Sequence, residues 1–328
     1  MGDIVKKYSY LFKSIRNTSL PNLIKIVKKV KKISNKKFVL FDIISCSIKY
    51  QAAFYDYLEF EFYLLNDSQR KTYLTNGKNN EIVKLFNDKS YWHILDNKDE
   101  FDNYFKKYLK REFLNSGFSK EDLNRFIKDK SKIIAKPIDG IGGQGITIVD
   151  CKEKEIYEKY NNYLLEEIIV QHKKLNELYD KSVNSLRIFT FFDGKESYIL
   201  QTILKIGNTE ITDNFSNGGM YAFLDDKGTV ITPAIDKDDN IYGIHPISKK
   251  QILGFKVPLF DEAINLVLEA AKEIPQIKYI GWDIAISENG PCIIEGNSYP
   301  GVFQIKPRFS KDKIGILPKY EKIMKIKL

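Results

Sequence analysis

The sequence predicts an α+β protein in which two lobes follow a mainly helical N-terminal region. Helical periodicity dominates up to about residue 130, and short strands with glycine-rich turns dominate after it. Only one strong helix, at residues 261–273, interrupts the later strands. Strand-rich segments with few helices favour α+β lobes over a doubly wound sheet. The 328 residues, 43% of them hydrophobic, suffice for two lobes.

Residues 1–112 are predicted to form the helical region. Gly77 and Gly117 mark breaks between helices. Residues 99–113 place a run of apolar side chains on one helical stripe. The stripe consists of Phe101, Tyr104, Phe105, Tyr108 and Leu109.

The net charge of +9 comes from the first 37 residues, which hold 11 basic residues and one acid. The rest of the chain carries 41 basic and 42 acidic residues, so we expect no nucleic-acid partner. Leu23, Val27 and Val30 recur at helical spacing among the lysines. We favour a helix that packs on its own domain with a solvated lysine face. The alternative is weak peripheral contact of residues 1–37 with an anionic membrane surface.

The predicted location is the cytoplasm, with the inner face of the membrane as the alternative. Cys46, Cys151 and Cys292 lie far apart and form no C-x-x-C pair, as in proteins of a reducing compartment. No secretory leader is recognisable, and the most apolar early run is too short to cross a bilayer.

Residues 113–168 are predicted to form a small lobe around a glycine-rich flap. A strand at 132–137 precedes the flap and a strand at 145–149 follows it. Glycines let backbone N–H groups approach phosphate oxygens, although such a turn can also be purely structural. Neither the P-loop nor the Rossmann spacing is present. Lys136 would add a positive charge beside the flap, whose candidate residues are Gly140, Gly142, Gly143, Gln144 and Gly145.

A pair of acids inside an apolar strand makes residues 163–169 a candidate adenine site. The candidates are Glu166, Glu167, Ile168 and Ile169. Backbone groups there could meet the adenine edge while a glutamate accepts from its amine. Taken alone, adjacent glutamates in a strand more often mark a solvated face.

Residues 169–328 are predicted to form the C-terminal lobe, which contains a magnesium site. Asp283 lies in one strand of a hairpin, and Glu295 and Asn297 share a face of the other. Two carboxylates and an amide oxygen suit Mg²⁺ that bridges nucleotide phosphates. The alternative is an edge hairpin with solvated acids.

Two further segments of this lobe carry polar groups suited to phosphoryl transfer. Arg187 lies in an apolar strand and could neutralise a transferring phosphoryl group. Asn217 belongs to a turn at residues 213–219 that could hold an acyl phosphate or a carboxylate. An ordinary ion pair and an ordinary hairpin are the alternatives. The three histidines form no metal or catalytic pattern.

Read in chain order, these segments resemble the ATP-grasp superfamily over roughly residues 40–310. The shared features are a strand lysine before a glycine-rich flap, an E-E-x-I hinge and an N-x-x-R strand. The most specific is the G-x-D … G-P-x-x-I-E-x-N-x-x-P-G signature at residues 281–301. The chain looks closest to the sugar-transfer-associated ATP-grasp proteins, a bacterial subgroup implied to serve capsule or surface-polysaccharide assembly.

The resemblance implies ATP and Mg²⁺ as cofactors and gives the candidate residues roles. Lys98 and Lys136 would contact the α- and β-phosphates, with Lys89 as a rival for the first lysine. Glu166 or Glu167 and the backbone to Ile169 would take the adenine. Arg187 would lie near the γ-phosphate, and the metal ligands would be Asp283, Glu295 and Asn297.

One departure from the family pattern concerns the ribose. Many ATP-grasp proteins carry an acid about seven residues after the hinge glutamate, where this chain has Lys173 and Lys174. The ribose would then have to be bound by Gln171, His172 or Asn176.

The resemblance implies a ligase that joins a carboxylate to an amine through an acyl phosphate. The expected partners are small molecules: an amino acid, a uronic acid or an amino sugar. The rival hypothesis is a catalytically silent nucleotide-binding regulator or scaffold of polysaccharide assembly.

Overall fold

A computed structural model describes residues 10–12, 14–16, 18–34, 36–138, 144–208 and 213–328, apart from the Ser216 side chain. The chain divides into two compact units. One consists of Met1–Phe86 with Gly301–Leu328, and the other is Asn87–Pro300.

The first unit is helical where it is described. Its helices are Leu20–Ile33, Val39–Tyr50, Phe54–Glu59, Asp67–Arg70, Asn76–Phe86 and Leu317–Met324, with 3₁₀ turns at Phe62–Leu64 and Pro307–Phe309. Aromatic side chains dominate its core, among them Phe54, Tyr57, Phe60, Phe62 and Tyr73.

The basic helix Leu20–Ile33 packs on this core. Ile26 and Val30 are buried, and Leu23 and Val27 are partly buried against the same cluster. The apolar spacing seen in the sequence is therefore the packed face of the helix. Its lysines are exposed.

The second unit contains two antiparallel sheets. The small sheet has the order β1-β4-β2-β3 and the large sheet the order β11-β10-β5-β6-β7-β8-β9. The strands are β1 Phe113–Leu114, β2 Lys132–Pro137, β3 Thr147–Asp150, β4 Tyr163–Glu167, β5 Ser185–Phe192, β6 Ser197–Ile206, β7 Met220–Phe223, β8 Ala234–Ile235, β9 Ile241–Tyr242, β10 Tyr279–Ser287 and β11 Gly290–Asn297.

Short helices connect these strands, and one long helix covers the large sheet. The helices are His93–Asp96, Lys98–Tyr104, Lys106–Leu109, Lys120–Ile127, Ile156–Tyr160, Lys173–Leu178 and Phe260–Glu273, with 3₁₀ turns at Lys89–Tyr91 and Phe215–Asn217. Ala263, Val267 and Ala270 of the long helix share a buried cluster with Trp282 of β10. One face of the large sheet is thereby closed by apolar packing.

The predicted α+β class with a helical N-terminal region is confirmed. The expected single stripe at 99–113 is divided at Phe105 into two short helices, and Phe113 begins β1. The helix expected at residues 261–273 is observed at Phe260–Glu273. The division at residues 112 and 168 stays a prediction. Among the described residues, none of the helices combines the length and apolar character needed to cross a bilayer.

Candidate active site

Charged residues gather on the face of the large sheet that the long helix leaves uncovered. Strand side chains alternate between faces. Leu186, Ile188 and Trp282 point into the helix-covered core. Arg187 and Asp283 therefore point to the opposite face, where a charged site can be built without crossing the core.

Arg187, Asp283 and Glu295 form one row across three strands. Asp283 of β10 is in register with Arg187 of β5 on one side and with Glu295 of β11 on the other. Residues in register share a face of the sheet. The row unites two predicted metal ligands with the predicted phosphoryl-binding arginine.

Two cations hold the Asp283 carboxylate. Arg187 Nη2 donates to Oδ2 at 2.9 Å, and its Nε donates to Oδ1. Lys205 of β6 places Nζ 3.2 Å from Asp283 Oδ2 and 3.3 Å from Asp213 Oδ1. Such paired, charge-assisted hydrogen bonds fix a carboxylate in orientation as well as in charge.

The two carboxyl groups of the row have opposite pKa shifts. Burial opposes ionisation of Asp283, but the charges of Arg187 and Lys205 outweigh it and hold the pKa well below its usual range. Desolvation by the surrounding protein raises the pKa of Glu295, as do the negative charge of Asp283 and the hydrogen bond with it. The Glu295 side chain still keeps access to solvent. A cation placed beside this pair would relieve the repulsion between its carboxylates.

Asn297 completes the predicted oxygen ligands. It lies two residues after Glu295 on β11, and its Nδ2 donates to Gly281 O at 3.1 Å. That hydrogen bond turns the amide oxygen away from Gly281. The side chain is partly exposed, as a ligand to an exchangeable ion would be.

These residues suit a Mg²⁺ ion that is shared with a substrate better than a metal ion whose ligands all come from the protein. Across the part of the chain that is described, no three His, Cys, Asp or Glu side chains gather into a metal site. Protein-bound Mg²⁺ commonly uses one or two carboxylates and takes its other ligands from water and substrate phosphates. The crowded Asp283–Glu295 pair meets that requirement.

A second charged cluster lies on the small sheet. Ile133 and Ala135 of β2 face its apolar core, which leaves Lys136 on the other face. Lys136 Nζ lies 2.5 Å from Oε2 of the buried Glu166 on β4. The predicted phosphate lysine is thus held in place by the first hinge glutamate.

Arg111 links this cluster to the large sheet. Its Nη2 donates to Glu166 Oε1 at 2.8 Å, and its Nη1 donates to Ile293 O of β11 at 2.6 Å. Burial opposes ionisation of Glu166, but the charges of Arg111 and Lys136 hold the pKa of this carboxyl well below its usual range. Glu166 is therefore an anion that organises two cations.

Asp102 adds a second carboxyl group to the cluster. Burial and the negative charge of Glu166 raise the pKa of Asp102 to about 8. Arg111 Nη2 lies 3.8 Å from Asp102 Oδ1. At neutral pH Asp102 is mainly protonated and can donate a hydrogen bond to Glu166.

The hinge residues separate into two groups. Glu166 is engaged by Lys136 and Arg111, whereas Glu167 is exposed and its carboxylate accepts from Glu112 N at 3.2 Å. β4 ends at Glu167, and Ile168 and Ile169 follow outside any strand, where they are partly buried. Backbone groups beyond the strand end, together with Glu167, are thus the remaining candidates for the adenine edge.

Lys98 and Lys89 occupy different surroundings. Lys98 Nζ donates to Ile138 O at 3.0 Å, directly before the flap, while Lys89 is exposed.

Of the predicted flap glycines, Gly140, Gly142 and Gly143 lie outside the described residues. Gly145 has φ +75°, and a Cβ there would come 2.9 Å from Pro137, so the turn requires glycine at this position.

Asn217 lies in the turn that follows β6. It is exposed, and its N–H donates to Asn214 O at 3.0 Å. The start of the turn is fixed by the buried Asp213, which accepts from Ser185 N at 2.8 Å and pairs with Lys205. The turn is therefore attached to the lysine that also holds Asp283.

The ribose candidates differ in how they are engaged. Gln171 is buried, and its Nε2 donates to Tyr179 O and Ser182 O at 2.9 Å each. His172 Nδ1 accepts from Lys174 N at 3.2 Å, and Asn176 is exposed. Gln171 thus has a structural role, and His172 and Asn176 stay as predictions.

Lys205 and Asp102 were not predicted from the sequence. Lys205 interrupts the apolar end of β6, which is the signal that singled out Arg187 one strand away. Asp102 offered no such signal, because it lies in a short helix that is mostly polar.

A family model and several solved structures resemble parts of the chain. A family model described as "Sugar-transfer associated ATP-grasp" matches residues 156–308. No curated protein sequence matches the chain.

Several solved structures resemble the chain at low identity. N5-carboxyaminoimidazole ribonucleotide synthetase from Thermotoga maritima is 10% identical, with 68% of this chain and 49% of that chain covered and a TM-score of 0.40. The ATP-grasp ligase PsnB, solved with a precursor variant, Mg and ADP, is 13% identical, with 69% of this chain and 55% of that chain covered and a TM-score of 0.40. D-alanine–D-alanine ligase from Bacillus anthracis is 15% identical, with 71% of this chain and 66% of that chain covered and a TM-score of 0.39. The chain spans about half the length of the first two.

Just under half of the chain, residues 156–308, thus resembles the sugar-transfer-associated ATP-grasp family. The matched residues include Arg187, Asp283 and Glu295 as well as the hinge, while Lys98 and Lys136 precede them.

Proposed function

We propose that this protein is an ATP- and Mg²⁺-dependent ligase that joins a carboxylate to an amine through an acyl phosphate. The observation that carries the proposal is the row Arg187–Asp283–Glu295, with Lys205 beside it. A solvent-accessible carboxyl group next to a cation-held carboxylate is suited to a nucleotide-bound metal ion and ill suited to a purely structural sheet.

The nucleotide phosphates would meet Lys98 and Lys136. Both lysines are close to the flap, since Lys98 donates to Ile138 O and Lys136 is at the end of β2. Glu166 holds Lys136 in place through their ion pair. The flap glycines Gly140, Gly142 and Gly143 with Gln144 and Gly145 would supply N–H groups to the phosphates. Glu167 and the backbone of Ile168 and Ile169 would take the adenine.

Asp283, Glu295 and Asn297 would hold Mg²⁺. When bound, this ion would offset the negative charge of the nucleotide phosphates. Arg187 and Lys205 keep Asp283 ionised and oriented, so the ligand set is organised before the ion arrives.

The chemistry needs no covalent bond to the protein. A carboxylate oxygen of the first substrate attacks the γ-phosphorus, the bond to ADP breaks, and an acyl phosphate forms. The amine nitrogen then attacks the acyl carbon, inorganic phosphate leaves, and the amine loses a proton. Arg187, Lys205 and the Asn217 turn would stabilise the negative charge that moves through these steps.

The proposed substrates are an amino acid, a uronic acid or an amino sugar, and the proposed setting is capsule or surface-polysaccharide assembly. The name of the matching family supports this setting. The silent-regulator alternative leaves the accessible Glu295 without a purpose, because a nucleotide-binding scaffold needs no complete metal site.

ADP and phosphate release with Mg²⁺, screened against pooled amino acids, uronic acids and amino sugars, tests the proposal. We expect one pool of carboxylates to stimulate turnover, an amine to increase it further, and Glu295→Gln to abolish it. Carboxylates labelled with ¹⁸O should pass one label to the released phosphate, because the acyl phosphate retains that oxygen. Tight ATP binding with no stimulation by any pool would favour the regulator.

A further inference from the structure

The turn between helices Leu20–Ile33 and Val39–Tyr50 exposes large apolar side chains. Phe38 is 74% exposed, Phe41 72% and Ile33 48%. Phe38 is the N-cap of the second helix and Phe41 is its third residue, so both lie at the start of that helix. We call Ile33, Phe38 and Phe41 the apolar corner. Large exposed apolar side chains that occur together, rather than scattered singly, mark interaction sites.

Positive charge surrounds the apolar corner. The last turn of the first helix contains the exposed Lys31 and Lys32, and Lys37 directly precedes Phe38. Lys36 is the exception, since it pairs with Asp42 at 2.6 Å. Helix Leu20–Ile33 has no acid in its first turn. The corner thus presents apolar rings within a cationic rim.

We propose that this corner docks the protein on an anionic phospholipid bilayer. The rings would enter the boundary between headgroups and acyl chains while the lysines pair with the lipid phosphates. Only an anionic lipid surface offers both a hydrocarbon layer and a dense sheet of negative charge. The buried Ile26 and Val30 hold the basic helix on its own unit, so docking requires no unfolding.

Charge complementarity and side-chain type favour lipid over nucleic acid. Ile33 has no ring that could stack on a base. Its side chain is stabilised only by moving from water into apolar surroundings. The basic excess is also local, because the chain after residue 37 holds 41 basic and 42 acidic residues. A nucleic-acid groove would extend the positive charge further across the surface.

Vesicle co-sedimentation of the full chain tests the docking. The parent should bind vesicles of phosphatidylcholine mixed with phosphatidylglycerol, bind phosphatidylcholine alone far less, and release at high salt. The double variant Phe38→Ser/Phe41→Ser and the double variant Lys31→Ser/Lys32→Ser should each weaken binding by about tenfold or more. The matched control is Leu85→Ser, which alters a 62% exposed apolar residue on another helix of the same unit.

Thermal melting should show that all three variants remain folded, because each replaced side chain is exposed. Equal vesicle binding by the parent and both double variants would overturn the proposal. The proposal would also be overturned if single-stranded DNA competed fully with the vesicles for binding. It would likewise be overturned if the parent bound no lipid but formed a dimer that the Phe38→Ser/Phe41→Ser variant does not form. None of these results depends on ligase activity.

Discussion

Asp283 and Glu295 lie directly opposite each other on β10 and β11, but only Asp283 receives the paired hydrogen bonds of Arg187. Asp283 therefore has a role in the fold in addition to its proposed role in metal binding. Desolvation, and next the negative charge of Asp283, raise the pKa of Glu295, so this carboxyl group does not stabilise the fold in the same way. Neutralising one or the other carboxyl group should separate these roles.

Asp283→Asn should destabilise the protein, and Glu295→Gln should not. The first change leaves Arg187 and Lys205 without their shared anion, at a cost of roughly 3 kcal/mol of unfolding free energy. The second removes a repulsive, solvent-accessible group and should change stability by less than about 0.5 kcal/mol. Urea denaturation at neutral pH measures both. Equal losses would show that Glu295 is part of the structural ion-pair network.

Lys205→Met should lower both stability and ATP turnover. The substitution keeps the apolar stem but leaves Asp283 and Asp213 with less positive charge around them. We expect a loss of about 2–4 kcal/mol in unfolding free energy. Lys195→Met is the matched control, because Lys195 is exposed in the turn between β5 and β6. A Lys205 variant with unchanged turnover would remove this residue from the proposed site.

Asp102→Asn should flatten the pH dependence of stability. The folded-state pKa of Asp102 is about 8, above the ordinary 3.8, so the folded protein keeps a proton that the unfolded chain releases. This contribution is complete below pH 3.8 and is lost as the pH rises towards 8. Between these values the parent should lose up to about 1.4 kcal/mol per pH unit from this group.

Urea denaturation of the parent and of Asp102→Asn from pH 5 to pH 8 isolates that slope, since other titrating groups are common to both. The amide can still donate to Glu166, so the variant should resemble the parent at pH 5. Parallel pH curves would mean that Asp102 is ionised in the folded protein.

Asn184→Ala should destabilise the fold through a buried network. The Asn184 Nδ2 group donates to Leu175 O at 3.0 Å and Tyr179 O at 2.8 Å, and its Oδ1 accepts from Gly207 N at 3.1 Å. Truncation removes three buried hydrogen bonds and leaves the buried Gly207 N–H without its acceptor, at a cost of about 2–3 kcal/mol. The melting temperature should fall accordingly. A negligible shift would show that water replaces the amide there.

The sequence was most informative where local pattern and chemistry coincide. β2 is observed at the predicted bounds, 132–137, and the hairpin of β10 and β11 brings Asp283 and Glu295 together as expected. Alternation along each strand was enough to place such side chains on one face. Whether they bind metal and nucleotide stays a prediction.

Contacts between strands that are distant in the chain could not be predicted from the sequence. Lys205 reaches Asp283 because β5 lies between β6 and β10, and no local pattern reveals that order. Likewise, Arg111 bridges Glu166 on the small sheet and Ile293 on the large one across 55 and 182 residues of chain. Such pairings depend on the global topology, which one sequence does not specify.

Calorimetric titration with ATP, with and without Mg²⁺, tests the central claim most directly because it requires no second substrate. We expect the parent to bind ATP tightly with Mg²⁺ and more weakly without it. Glu295→Gln should lose at least about tenfold in affinity with Mg²⁺ while remaining as stable as the parent. Absence of ATP binding by the folded parent, or equal Mg²⁺-dependent binding by the variant, would contradict the assignment of this site.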